Sequence, residues 1–167
     1  MCELGGGRTA LAGMILAKFG VHVLLSDGNQ QCVQALKANA QINFPAQTNP
    51  QIEQIIWSEE FQWHEEKFDA LICADCFFFK KYLKGLVSSI PELLHVDGKA
   101  YFIAPERDGT LQLFIQLIKE TAKFNIQIFE HFDEEVDLAL ENEKKICRTE
   151  EEKMYLVIYL IKVSFNK

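Results

Sequence analysis

Glu3-Leu4-Gly5-Gly6-Gly7-Arg8-Thr9 is the stretch whose reading decides the fold. Consecutive glycines let backbone pass close to a ligand, and in an open α/β sheet such a loop follows the first buried strand. Only Met1-Cys2-Glu3-Leu4 precede the glycines, whereas a strand ordinarily takes about five or six residues. The first strand is therefore expected to be truncated, and the domain incomplete at its N-terminal edge.

Outward from that loop, apolar runs alternate with helical periodicity, the pattern of a parallel sheet wrapped by helices. Leu11, Ala12, Ile15, Leu16 and Phe19 form a stripe at helical spacing, ended by Gly20. Val21 to Leu25 reads as a strand stopped by Ser26-Asp27-Gly28, and a helix from about Gln30 to Asn43 carries Val33, Leu36 and Ala40 on one face. Phe44 to Pro50 is loop, rich in breakers. Further strands are expected over Ile52 to Trp57, Phe68 to Asp75 and Lys99 to Ala104. Leu86, Val87, Ile90, Leu93 and Leu94 stripe one intervening helix, and Leu111, Phe114, Ile115, Ile118 and Ala122 mark the next. At the end the alternation stops. Ile126 to Phe132 and Met154 to Lys162 both read as strands joined by a polar stretch, which predicts an antiparallel last strand.

At 167 residues the chain reads as a single domain spanning 1–167, long enough to bury about 70% of its unfolded surface. A formal charge of −7 and no basic run longer than Lys80-Lys81 or Lys144-Lys145 argue against nucleic acid as partner. No apolar run reaches the roughly 18–20 residues of a membrane span, so no membrane partner is expected. The five cysteines, Cys2, Cys32, Cys73, Cys76 and Cys147, lack the spacing of a disulfide framework. They suit a reduced compartment, cytoplasmic or nuclear. Cys73-Ala74-Asp75-Cys76 closes an apolar strand rather than opening a helix and has no second ligand pair. Packed thiols are therefore expected there, with neither metal nor redox chemistry.

Gly5-x-Gly7 with Asp27 about twenty residues on serves two ligand classes, because both need close backbone approach and both use an acid on ribose hydroxyls. Gly5-x-Gly7-x-x-Ala10 even meets the dinucleotide fingerprint in its Gly/Ala form. Glu3 shifts the balance. An acid just ahead of the glycines repels a pyrophosphate and suits S-adenosylmethionine, which carries an amino group and a sulfonium. The strand ending in Ala74-Asp75 and the antiparallel finish fit the same ligand's seven-strand sheet.

Four segments carry a narrower resemblance: Cys2 to Gly7, Leu25 to Asn29, Phe68 to Phe78 and Gly98 to Pro105. Over nearly its whole length the chain resembles the calmodulin-lysine N-methyltransferase family, within the class I S-adenosylmethionine-dependent protein-lysine methyltransferases. The resemblance implies a Rossmann-like α/β sheet, mostly parallel with an antiparallel last strand, and S-adenosylmethionine as methyl donor. It implies a lysine of calmodulin or a related protein as acceptor. Two departures stand out. The family carries a sizeable region ahead of the glycine loop, and where relatives have Pro-Arg-Arg this chain has Pro105-Glu106-Arg107, which puts a basic contact from that loop in doubt.

Each candidate residue has a plainer alternative. Gly5, Gly6 and Gly7 would pass under the cofactor, or merely turn strand into helix. Asp27 would accept from the ribose hydroxyls, or cap the following helix. Glu3, Trp57 and Ala74 complete the expected cofactor set, with Trp57 near the adenine unless it is simply core. Asp75 carries the sharpest expectation. Asp75-Cys76-Phe77-Phe78 matches an Asp-x-x-Phe/Tyr pattern of the related lysine methyltransferases. A lysine with a pKa of about 10.4 arrives protonated; a carboxylate orients it, and an aromatic wall such as Phe78 attracts the cation. The polar stretch from Asp133 to Lys153 reads as a solvated helix near the same strand ends. The alternative to an enzyme is a truncated, non-catalytic form that binds cofactor or a protein partner weakly. A dinucleotide oxidoreductase is a third reading and lacks a visible acid/base set.

Overall fold

The computed structural model of the chain describes residues 1–45, 48, 50–149, 152–153 and 156–166. In chain order its elements are β1 (Cys2–Glu3), α1 (Leu11–Lys18), β2 (Leu24–Asp27), α2 (Gln30–Asn43), β3 (Gln51–Gln54), β4 (Phe68–Ala74), α3 (Lys80–Leu93), β5 (Leu94–Pro105), α4 (Thr110–Glu120), β6 (Phe124–Phe129), α5 (Glu134–Ile146) and β7 (Ile158–Phe165). The strands form one seven-stranded sheet in the order β3-β2-β1-β4-β5-β7-β6. Strands β1 to β5 pair in parallel, and β7 runs antiparallel to both β5 and β6. This is the Rossmann-like, mostly parallel sheet with an antiparallel last strand that the sequence predicts.

Strand β1 spans two residues yet sits at the centre, Cys2 opposite Leu24 and Leu71, Glu3 opposite Leu25 and Ile72. Backbone bonds lengthen its reach: Leu4 N donates to Ile72 O and Gly6 N to Ser26 O. Because successive strand residues face opposite sides, Leu24 joins one core layer and Leu25 the other. The first layer packs Leu83, Leu86, Ile90 and Leu93 of α3 and Leu111, Phe114 and Ile118 of α4 onto Leu71, Cys73, Ala100 and Phe102. The second holds Ala10, Met14, Val23, Leu25, Leu36, Ala40 and Phe44 against α1 and α2. Helix α2 covers the predicted span and buries Val33, Leu36 and Ala40. Its N-cap is Asn29, whose Oδ1 accepts from Gln31 N at 2.8 Å.

Several expectations need correction. Most of the apolar stripe of α1 does not face the core: Leu11, Ile15 and Phe19 are exposed, Leu16 packs partly buried against it, and the buried residues are Gly13 and Met14. The helix docks through Gly13 because a glycine there admits the Glu3 carboxylate and Leu25 at distances any Cβ would obstruct. Strand β3 ends at Gln54, leaving Ile55 to Trp57 to cross the sheet rim outside the ladder. Strand β5 begins five residues early. Its register with β4 breaks between Phe68 and Ala70, so Leu94 to Gly98 forms a bulged entry, and the regular pairing starts at Lys99 as predicted. Strands β6 and β7 each lie a few residues away from their predicted spans, and Met154 and Tyr155, at the predicted start of the last strand, are outside the described residues. Cys73 and Cys76 are joined in a disulfide with Cα atoms 6.3 Å apart, not packed as separate thiols. A strand-end turn brings the two sulfurs of a C-x-x-C together, and the sequence reading missed this. No described helix is long and apolar enough to cross a membrane.

Candidate active site

In a parallel sheet, ligand sites form where strands deliver their C-terminal ends. Here β1 delivers the glycine loop, β2 Asp27, β4 Ala74 and Asp75, and β5 Pro105 to Arg107. Trp57 crosses the same rim beyond β3. Eight of the nine predicted site residues therefore gather along one edge, while Glu3, expected to touch the cofactor, turns its buried carboxylate under α1 instead. A cleft of about 940 Å³ opens at the opposite edge, lined by Met1, Leu24, Gln51 and Phe68 at the strand starts. None of the nine predicted site residues lines it.

The glycine loop is built for approach. Gly5 and Gly7 both have φ near +60°, a left-handed conformation that side chains resist. Above Gly7 a Cβ would meet open space. At Gly5 a Cβ would come within 2.9 Å of Cys76 Sγ and 3.0 Å of the Trp57 ring, so the loop's first turn is wedged between those side chains. A side chain on Gly6 would collide with Ala10.

Asp27 braces this loop. Its Oδ2 accepts from Gly7 N at 2.9 Å and its Oδ1 from Asn29 N at 2.8 Å. Both bonds leave lone pairs on the carboxylate. The helix cap that was the plainer alternative for Asp27 belongs to Asn29 instead. Glu3 is buried, and its Oε2 accepts from Gly13 N at 2.6 Å at the start of α1. Burial pushes its carboxyl above the ordinary value, and the Gly13 bond pulls the other way. Beside it, burial pushes the Cys2 thiol up to about 12, so Cys2 is an inert core group. Trp57 is half-buried against the core, and its Nε1 is a buried donor with no partner among the described residues.

These features fit a nucleoside cofactor carrying an amino acid part. Open space over a glycine turn, a carboxylate with free lone pairs and an unpaired indole donor are complementary to a hydroxyl-bearing, acceptor-rich ligand.

Ala74 is the exposed last residue of β4, and Asp75 follows with φ 56°, its backbone held by Asp75 N donating to Ile103 O at 2.7 Å. A non-glycine residue in this region is uncommon and concentrates at functional positions. Of the aromatic run after it, Phe77 is core, stacked on Phe102 and Phe114. Phe78 and Phe79 are exposed. The Asp75 carboxylate takes a two-point contact from Arg107, Nη1 to Oδ1 at 2.5 Å and Nη2 to Oδ2 at 3.1 Å. The same guanidinium lies over the Phe78 ring, 4.7 Å from its centroid. The basic contact that Pro105-Glu106-Arg107 put in doubt is thus present. Only its place at the end of β5 hinted at it.

Gly85 is another residue that sequence reading missed. A Cβ there would sit 2.6 Å from Trp57 O, so this helical glycine sets how closely α3 approaches the Trp57 segment. Helix α5 joins the tops of β6 and β7 on this same rim. None of its residues is buried, and Asp133 caps it by accepting from Glu135 N and Val136 N. Glu150 and Glu151 of that polar connection lie outside the described residues. Among the described residues no group of three or more His, Cys, Asp or Glu side chains converges as a metal site.

Comparison with known proteins agrees with this geometry. A family model described as lysine methyltransferase matches residues 1–121. A calmodulin-lysine N-methyltransferase of Arabidopsis thaliana is 31% identical over 145 residues, covering 80% of this chain and 46% of that protein. The chain thus spans about half the length of that relative. Among solved structures, a TehB-like S-adenosylmethionine-dependent methyltransferase from Corynebacterium glutamicum superposes with TM-score 0.66 at 16% identity, over 99% of this chain and 79% of that one. A methyltransferase from Pyrococcus furiosus gives TM-score 0.65 at 15% identity, over 98% and 73%. At such identities these structures establish the shared fold.

Proposed function

The chain belongs to the lysine methyltransferase family, and on that premise we propose that it moves a methyl group from S-adenosylmethionine to a lysine of a protein acceptor, calmodulin or a protein like it. The observation that carries the reading is the Asp75 carboxylate and Phe78 ring gripping a cationic side chain at the strand ends, beside the glycine loop. A lysine ammonium is a cation of the same charge, so the same two groups suit it.

Gly5 to Gly7, Asp27 and Trp57 would hold the cofactor, Asp27 through its remaining lone pairs and Trp57 through its unpaired Nε1. When bound, S-adenosylmethionine supplies an electrophilic methyl on a sulfonium. Asp75 draws the acceptor ammonium to the rim, and Phe78 limits its solvation. Because the attacking amine must be neutral, the ammonium gives up its proton to solvent water at the exposed rim before transfer, and Asp75 fixes the nitrogen's position while it does so. Positioning of this kind supplies a large share of the rate in two-substrate reactions. Glu3 acts one layer below, tying β1 to α1 so that the glycine loop keeps its turn. Calmodulin as acceptor is supported by the named relative. The enzyme's own net charge of −7 offers an acidic acceptor no long-range attraction.

The test is calorimetric titration of the protein with S-adenosylhomocysteine and with NAD, followed by methyl transfer to calmodulin. Micromolar binding of the first and none of the second is expected, with Asp27→Ala weakening it. Asp75→Asn should leave that affinity unchanged and lower kcat/KM by about 10- to 100-fold, the worth of a charge-assisted hydrogen bond. A folded, monodisperse protein that binds no S-adenosylhomocysteine would overturn the reading.

A further inference from the structure

We propose that Arg107 competes with the acceptor lysine for Asp75 and Phe78, and so makes the site prefer a lysine presented by a protein over a small free amine. The inference rests on the acceptor role given above to those two residues. The guanidinium holds every feature an incoming ammonium would use. Its fork engages both carboxylate oxygens, at 2.5 and 3.1 Å, and its plane centre lies 4.7 Å from the Phe78 centroid, within the reach of a cation–π contact. While Arg107 stays, an incoming ammonium therefore meets a carboxylate already neutralised at both oxygens and a ring with one face already taken.

The contact is also one that can open. The side chains of Arg107 and Asp75 are 25% and 42% exposed, so water replaces the lost bonds as they part. The backbone at Arg107 is pinned: its carbonyl accepts from Thr110 N at 2.8 Å and from Thr110 Oγ1 at 2.7 Å. Displacing the guanidinium is therefore a side-chain movement that leaves the loop backbone in place.

Selectivity follows from the difference between the two cations. Arginine grips a carboxylate at two points in a fixed plane, whereas an ammonium is a point charge. A free amine must exchange a two-point contact for a one-point contact and gains nothing else. A lysine on a protein brings contacts from its neighbours along the rim, and these offset the displacement. Arg107 is thus a specificity-determining residue, acting before the methyl is transferred and not on the transfer itself.

The experiment uses the full chain loaded with S-adenosylhomocysteine and Nα-acetyl-lysine methylamide as probe, read by NMR at the Arg107 Nε–H and Asp75 Cγ resonances. In the native protein the probe should shift Asp75 Cγ and move the Arg107 signal toward that of a free guanidinium. Arg107→Gln should bind the probe about 3- to 10-fold more tightly, Arg107→Lys should fall between, and S-adenosylhomocysteine affinity should be the same in all three. Where calmodulin is methylated, Arg107→Gln should lower KM for the probe more than KM for calmodulin. Probe binding that touches Asp75 but is no tighter in Arg107→Gln would overturn the competition and make Arg107 a brace for Asp75. Intact cofactor binding with no response of Asp75 in either protein would overturn the acceptor role itself, and the competition with it.

Discussion

At Glu3 a carboxyl lies 3% exposed beneath the first turn of α1, and burial raises its pKa against the pull of the Gly13 amide. A carboxyl whose folded pKa is raised stabilises the fold most below its unfolded value, and that contribution is lost as pH climbs through the raised one. Urea midpoints of the native protein should therefore fall relative to Glu3→Gln as pH rises through and above the ordinary carboxylate range. Parallel curves over that range would show that Glu3 does not titrate with folding. The residue's type was legible as an acid ahead of the glycines. Its partner was not, because the Gly13 amide comes within 2.6 Å only once α1 has folded back over β1. Asp27 is a similar case. The sequence allowed a cofactor contact or a helix cap, and the structure shows a brace between Gly7 and Asn29 that neither alternative anticipated.

Helix α3 tests the fold at the scale of an element. In an exposed helix a Gly→Ala change stabilises by about 1 kcal/mol. At Gly85 the sign should reverse, because the added methyl would sit 2.6 Å from Trp57 O and 2.7 Å from Trp57 C, backbone atoms that cannot step aside cheaply. Gly85→Ala should cost about 1–3 kcal/mol in urea unfolding and also weaken S-adenosylhomocysteine binding by displacing Trp57. A stability gain would mean that the helix and the Trp57 segment pack less closely than described. The helical stripe of α3 was plain from Leu86, Val87, Ile90 and Leu93, since it follows the 3.6-residue period. In α1 the same logic chose the wrong face. The helix reaches the sheet through Gly13, the small residue that admits Glu3 and Leu25, while Leu11, Ile15 and Phe19 of the stripe stay exposed.

Across the whole molecule, order is unevenly distributed. Strands β1, β4, β5 and β7 lie inside the sheet and send residues into the larger core, whereas no residue of α5 is fully buried. Limited trypsin digestion should therefore cut first at Lys144 or Lys145 in α5, leaving a folded, cofactor-binding core, because cleavage follows local opening. First cuts within β4 or β5 would contradict this order of stabilities. The acidic helix stands on the rim that carries the candidate site, at the tops of β6 and β7, as the order of elements suggested.

The sequence by itself determined the succession of strands and helices, the glycine turn with its acid, and the seven-strand class with an antiparallel finish. Each of these is written in short-range patterns of apolarity, glycine and charge. Only the tertiary structure decided that β7 inserts between β5 and β6 and that Glu3 turns under α1. It also decided that Arg107 reaches across 32 residues to Asp75. Pairings of that kind depend on which surfaces meet once the chain has closed, and no local spacing encodes them.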